Sequence, residues 1–413
     1  MDERAHEHAG EGIHGLVTPH GSRMGAEGRR PPQRRTALRL LFALGVLASL
    51  VAGIVGGLVR AGFAAGAAGW LTAAVVGHAF LMICTFMGTV IGIERAVALR
   101  HPLAFAGPAA SGAAGALVLA GQTTLAAWLV VAASLALVAV TAAVATRQRA
   151  AHTAMLLVAA LAWAGGSILH AVAATTAAVV PAWFAFLVLT IAAERLEMTR
   201  LLRRRRGAPS LLCAICAALL LGASLSAAPG PAGGTLYGLA LAALAGWLFA
   251  FDVARRTVHA AGLSRYMALC LLLGYGWLFL GGVARGATAL GLPFRDAALH
   301  GVGLGFVFSM VLAHAPVILP AVTGVKVRFG RAYYLALGLL QGSLVVRLGA
   351  GPFDFRALAG GAAGNALAIA ALAATLAGSA IACRAGASVK LAGRASPDAA
   401  PCTCACTSTR PRP

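Results

Sequence analysis

The stretch TLAAWLVVAASLALVAVTAAVA, running from Thr124 to Ala145, decides the fold. It holds no charged residue. It is longer than the ~20 residues a helix needs to cross a hydrocarbon core ~30 Å thick at ~1.5 Å per residue. A helix lying on a water-soluble core keeps a polar stripe, and this one has none. The rest of the chain repeats the pattern. Of 413 residues, 60% are apolar and 11% charged, with a mean hydropathy of +0.85. A soluble domain carries about 25% charged residues because its surface faces water. Composition therefore excludes a soluble α/β enzyme, a secreted disulfide scaffold and a nucleic-acid enzyme. It predicts an all-α, polytopic helix bundle seated in a lipid bilayer.

Apolar runs bounded by Arg, Pro and Gly predict twelve transmembrane helices. They lie near residues 38–59, 70–94, 103–121, 124–146, 153–175, 179–199, 209–228, 235–254, 266–290, 297–321, 332–349 and 357–383. Together they form one membrane domain over residues 38–383. Many are rich in Ala and Gly, which lets helices pack by close backbone approach. The flanking segments 1–37 and 384–413 are polar and of low complexity, and read as disordered cytoplasmic tails. No secretory signal is expected, because the first apolar run starts too late.

The formal net charge is +21, which invites a nucleic-acid reading. Its distribution argues otherwise. With the N-terminus placed inside, only Arg60, Arg285, Arg295, Arg347 and Arg356 of the 33 Lys and Arg fall on the outer side. The others, including the run Arg203–Arg206, fall in inner segments. This asymmetry predicts the inner (cytoplasmic) membrane, an even number of spans and both termini cytoplasmic. The positive charge then lies beside anionic lipid, and no nucleic-acid partner is needed.

A repeat runs through the spans. The second ends Ile91-Gly-Ile-Glu94-Arg95 with Arg100 beyond, and the sixth ends Ile191-Ala-Ala-Glu194-Arg195 with Arg200 beyond. The tenth ends more loosely with Lys326 and Arg328. Matched ends four spans apart suggest three four-helix arcs. Glu94 and Glu194 suit either structural pairing with a nearby Arg or proton uptake.

Four histidines fall within or at the rim of spans: His78, His170, His300 and His314. His78, His170 and His300 share the outer third of the bilayer. His300 follows Asp296, read as a helix N-cap, by about one turn. His314 lies 14 residues after His300, ~21 Å deeper on a straight helix. It sits before Pro316, where a kink would free carbonyls for it to satisfy. Imidazole ligates haem and copper, and two histidines at one depth on different helices can clasp a haem. His78 and His300 meet that condition, and Gly77, Gly301, Gly303 and Gly305 beside them leave room for a flat macrocycle. The competing reading is that each histidine bonds a neighbouring helix.

Gly77-His78-Ala79-Phe80-Leu81-Met82, Phe86-Met87-Gly88 and Glu94-Arg95 carry a family resemblance. So does the stretch from His300 to Met310, running on through His314-Ala315-Pro316 to Pro320. The chain resembles the NnrS-like membrane proteins, associated with haem, copper and nitric oxide handling. More distantly, its twelve helices in three arcs resemble the haem–copper oxidase architecture. The resemblance covers roughly residues 70–350. It implies haem b and copper as cofactors, His78 and His300 as axial haem ligands, and His170 and His314 as further metal-site candidates. It implies a gas or redox partner. An oxidase also places His on spans 6 and 7, and here those spans have none, so a dinuclear oxygen-reducing centre is not implied.

Other features carry less. Cys213 and Cys216 share one helix face and read as core packing or a soft-metal site. The tail residues His6, His8, Cys402, Cys404 and Cys406 are further metal candidates. A transporter of a small solute and a metal-free assembly protein remain alternatives. Twelve spans suit a transporter, but the spans lack midplane acids for ion coupling, since Asp252 and Asp296 sit at helix ends. Whether a reaction is catalysed stays open.

Overall fold

The structure is a computed structural model describing residues 33–64, 66, 68–172, 175–199 and 207–392, without the side chains of 33–40, 322 and 385–392. Most of both tails, the run Arg203–Arg206, His6, His8 and the three tail cysteines fall outside the described residues.

The described chain is all helical, 86% of it in helix with no strand. Among the described residues, twelve helices are long and apolar enough to cross a membrane. They are α1 (Leu41–Arg60), α2 (Phe80–Leu99), α3 (Pro102–Leu119), α4 (Thr123–Arg147), α5 (Ala151–Ala171) and α6 (Thr176–Met198). Then come α7 (Ala208–Leu225), α8 (Pro231–Phe251), α9 (Gly262–Ala289), α10 (Arg295–Ala321), α11 (Ala332–Ala350) and α12 (Phe355–Arg384). The fold is a polytopic bundle of the kind the apolar runs predict. The end where α1 begins is the proximal face below, and the end where it finishes is the distal face.

The helices are not equivalent. In α2 and α6, 67% of the spanning window is buried, and in α10 61%; no other helix exceeds 50%. These three touch one another at the centre. Around α2 pack α1, α3 and α4; around α6 pack α5, α7 and α8; around α10 pack α9 and α11, with α12 on α11. Helix α12 also reaches α1 and closes the ring. The spacing of four in the Glu-Arg repeat thus marks the central helices.

Side chains fill the centre in stacked aromatic pairs, such as Trp163 on Phe186 with ring centres 4.8 Å apart. Lipid tails are as apolar as these residues, so close packing rather than escape from water holds the helices together. Glycines serve that packing. A Cβ on Gly301 would stand 3.1 Å from Gly281, and one on Gly305 would stand 2.4 Å from Trp277. Both glycines bring α10 against α9, which is not the room for a macrocycle that the sequence reading expects of them.

Among the described residues, three helices change winding. Residues Phe80–Met87 of α2, Gly301–Phe308 of α10 and Val346–Ala350 of α11 are π-helical. A short helix, Gly69–Val76, leads into α2 through Gly77.

Candidate functional site

One cavity of about 860 Å³ opens among α1, α2, α6, α8, α9, α10, α11 and α12. That lies in the upper part of the ~300–1,000 Å³ range of small-molecule sites. Its deep wall is apolar, with Met82, Phe86, Phe184, Leu187, Phe308 and Ile369. Its distal part carries His78, His300, Asp296, Arg60, Arg285, Arg295 and Arg347.

The two histidines meet here, with ring centres 6.2 Å apart and planes tilted by 40°. His78 stands between Gly77 and the π-helical turn of α2. Its Nδ1 lies 2.8 Å from the Gly53 carbonyl of α1. A carbonyl only accepts, so Nδ1 carries the proton and Nε2 keeps a lone pair. The close approach depends on Gly57, where a Cβ would stand 2.9 Å from His78 Cε1.

His300 is the last residue before the π-helical turn of α10. Its Nδ1 lies 3.3 Å from the Asp296 carbonyl one turn back and 2.8 Å from Asp296 Oδ1, and both acceptors put the proton on Nδ1. Asp296 is therefore not the helix N-cap the sequence suggests: Phe294 takes that position without a side-chain cap. The Asp296 carboxylate instead receives Arg347, Nε to Oδ2 and Nη2 to Oδ1, each at 2.9 Å. Arg347 Nη2 also stands 3.2 Å from both ring nitrogens of His300. An atom so placed in the ring plane would collide with Cε1, so the guanidinium lies over the ring face. The lone pair at Nε2, which points along the ring plane, is left clear.

Each ring is thus held at Nδ1 by an acceptor and offers Nε2. Ligating histidines are usually held this way, the acceptor behind the ring fixing its tautomer and orientation. The remaining cations add to the picture. Arg60 donates to the Val75 carbonyl at 3.4 Å and Arg285 to Ser226 Oγ at 3.3 Å. Among the described residues, neither these two nor Arg295 forms an ion pair. The distal part of the cavity therefore carries three arginines without a carboxylate.

His170 and His314 do not join the pair. The His170 ring packs on Trp183 and Phe80, with centres 5.1 and 5.8 Å away. His314 returns its Nδ1 to the Met310 carbonyl at 2.9 Å, one turn back on its own helix. That is not the carbonyl Pro316 frees, which belongs to Leu312. Among the described residues no three His, Cys, Asp or Glu side chains gather as a metal-ion cluster.

A second polar layer lies at the proximal ends of the central helices. Arg95 Nη2 reaches Glu94 at 2.8 Å and Glu194 at 2.7 Å, tying the two copies of the Glu-Arg repeat together. Arg195 instead pairs with Asp252 at the end of α8, Nε to Oδ2 at 2.7 Å. The Asp252 side chain is fully buried and also accepts from Tyr275 Oη and the Ala254 N–H. Every acceptor there has a donor, which marks a structural tie.

A family described as a domain of unknown function (DUF8744) matches residues 39–381, from before α1 into α12. The chain belongs to this family. No curated protein and no solved structure matches it. The family description assigns no activity, so functional meaning rests on the cavity that its members' shared region encloses here.

Proposed function

We propose that this protein binds haem b in the distal cavity, with His78 and His300 as the two axial ligands. The observation that carries the reading is the joint placement of two Nε2-offering imidazoles and three arginines without ion pairs in one cavity whose deep wall is apolar. The residues present fit the group. The ring centres are 6.2 Å apart, near enough for both imidazoles to reach one metal through bonds of about 2.0 Å. Apolar walls suit the macrocycle, and Arg60, Arg285 and Arg295 suit its two carboxylates. Haem supplies one-electron chemistry when bound, which is the sense in which nitric oxide or redox-stress handling enters this proposal. What this chain does is orient two imidazoles, neutralise an anionic edge and exclude water. A copper ion could also stand between two imidazoles, but it needs neither the cavity volume nor the arginines.

The test is spectroscopic. The full-length protein, purified in detergent and mixed with haemin, is expected to show a Soret band of a two-histidine haem. His78→Ala and His300→Ala should each abolish that spectrum while the protein stays folded. Failure to take up haemin overturns the proposal. So does a preparation with stoichiometric copper and no Soret band.

A further inference from the structure

The two imidazoles share a cavity but are held differently. His78 donates to a neutral carbonyl, that of Gly53. His300 Nδ1 stands 3.3 Å from the Asp296 carbonyl and in addition faces the Asp296 carboxylate, whose Oδ1 is 2.8 Å away. Hydrogen bonds to an ionised acceptor are roughly twice as strong as neutral ones. Drawing the Nδ1 proton toward a carboxylate raises the basicity of Nε2.

Asp296 is itself held from the far side. Arg347 grips both of its oxygens, and Arg347 Nη1 stands 3.4 Å from Asn365 Oδ1. Asn365 Nδ2 donates in turn to Ser343 Oγ at 2.7 Å. The chain of contacts runs from α10 through α11 to α12, and Arg347 and Asn365 are buried. An ion pair that merely tied α10 to α11 would not need the histidine. Here one carboxylate oxygen serves the ring and the guanidinium together, and the guanidinium lies on that ring.

We propose that Asp296 is a positioning residue that holds His300 at Nδ1 and places a negative charge behind that ring, while Arg347 sets how much of the charge reaches it. This rests on the haem reading and adds regulation of the same site.

The discriminating experiment is a redox titration of the full-length protein, reconstituted with haemin in lipid nanodiscs. Asp296→Asn keeps an acceptor oxygen and removes the charge. It should retain haem and raise the midpoint potential, because the oxidised iron loses a stabilising anion. Arg347→Gln removes a cation and leaves the carboxylate to the ring, and should lower the potential. Opposite shifts from the two halves of one ion pair are the signature, since breaking a purely structural tie from either side would loosen the site alike. Asp296→Ala also frees the ring, and should weaken haem binding roughly 10–100-fold.

Shifts of the same sign, or no shift, overturn the proposal. Where either charge variant fails to fold, Asn365→Ala keeps the ion pair but slackens Arg347. It should lower the potential by less than Arg347→Gln, and an unmoved potential there overturns the proposal too. A wild-type protein that takes up no haemin removes the haem reading and this inference with it. A wild-type Soret band with a potential indifferent to all three variants removes this inference alone.

Discussion

At the scale of single residues, two positions separate holding a site from holding a fold. Gly57 belongs to the site. A Cβ there would press on His78 Cε1 at 2.9 Å and Nδ1 at 3.2 Å, the edge that faces Gly53. Gly57→Ala should tilt the ring off the Gly53 carbonyl. Haemin affinity is expected to fall about tenfold or more, as when an outer-shell partner of a ligand is lost. The melting temperature should move by no more than a few degrees, and a spectral titration beside a thermal melt checks both. Asp252 belongs to the fold. Asp252→Asn leaves Arg195 buried opposite a neutral group, and breaking a buried pair from one side costs about 3–5 kcal/mol. That loss should appear in denaturant unfolding. The Soret band of the surviving folded protein should be unchanged, because the pair sits at the proximal ends of the helices. An altered spectrum would mean the two polar layers are coupled.

At the scale of elements, winding matters more than span length. The three π-helical stretches found among the described residues flank or contain His78, His300 and Arg347. Such turns recur at functional sites because an extra residue re-aims what precedes it. Deleting one residue from Phe80–Met87, Ile83 for example, should restore α-helical winding and remove the wide turn that sets the height and aim of His78 opposite Gly53. The same holds for deleting Gly303 in α10. Each deletion is expected to abolish the haem spectrum while circular dichroism reports the same helix content. A retained Soret band would show that the π turns do not aim the ligands. None of this winding is legible in the sequence, because FLMICTFM and GVGLGFVF read equally well as α-helix. The spans themselves are legible, since charge and proline bound each apolar run, and the helix ends found lie mostly within a few residues of those read. His78 and His300 stand out as imidazoles in apolar runs, yet so do His170 and His314, and only packing separates them. Asp296 looks like a cap and Arg347 like an outer charge. Gly53 and Gly57 leave no trace, because a backbone carbonyl that receives a histidine has no sequence signature.

At the scale of the whole molecule, the basic residues that run against the topology converge. Arg60, Arg285, Arg295 and Arg347 are four of the five cations at the distal ends of the helices, and all four line the cavity that holds the two histidines. Lys and Arg bias the loops that hold them toward the cytoplasm. Under the orientation read from the sequence, each of these four opposes the bias set by the rest, so topology gives no reason for them to cluster. Arg347 has a carboxylate partner in Asp296, and the other three form no ion pair among the described residues. If they hold the carboxylates of a macrocycle, replacing Arg60, Arg285 and Arg295 together by Gln should leave orientation intact. Cysteines introduced singly at Phe63 on the distal face and His259 on the proximal face would then keep their labelling pattern with an impermeant maleimide. Haemin binding should weaken, while binding of the dimethyl ester of the same porphyrin, which lacks the two charges, should not. Hydrogen bonds to charged groups contribute about 1.5–3 kcal/mol each, so a wild-type preference for the free acid of roughly tenfold or more should shrink toward none in the triple variant. Equal losses for acid and ester would mean that the arginines shape the cavity without reading charge. A reversed labelling pattern would mean that they take part in setting orientation after all.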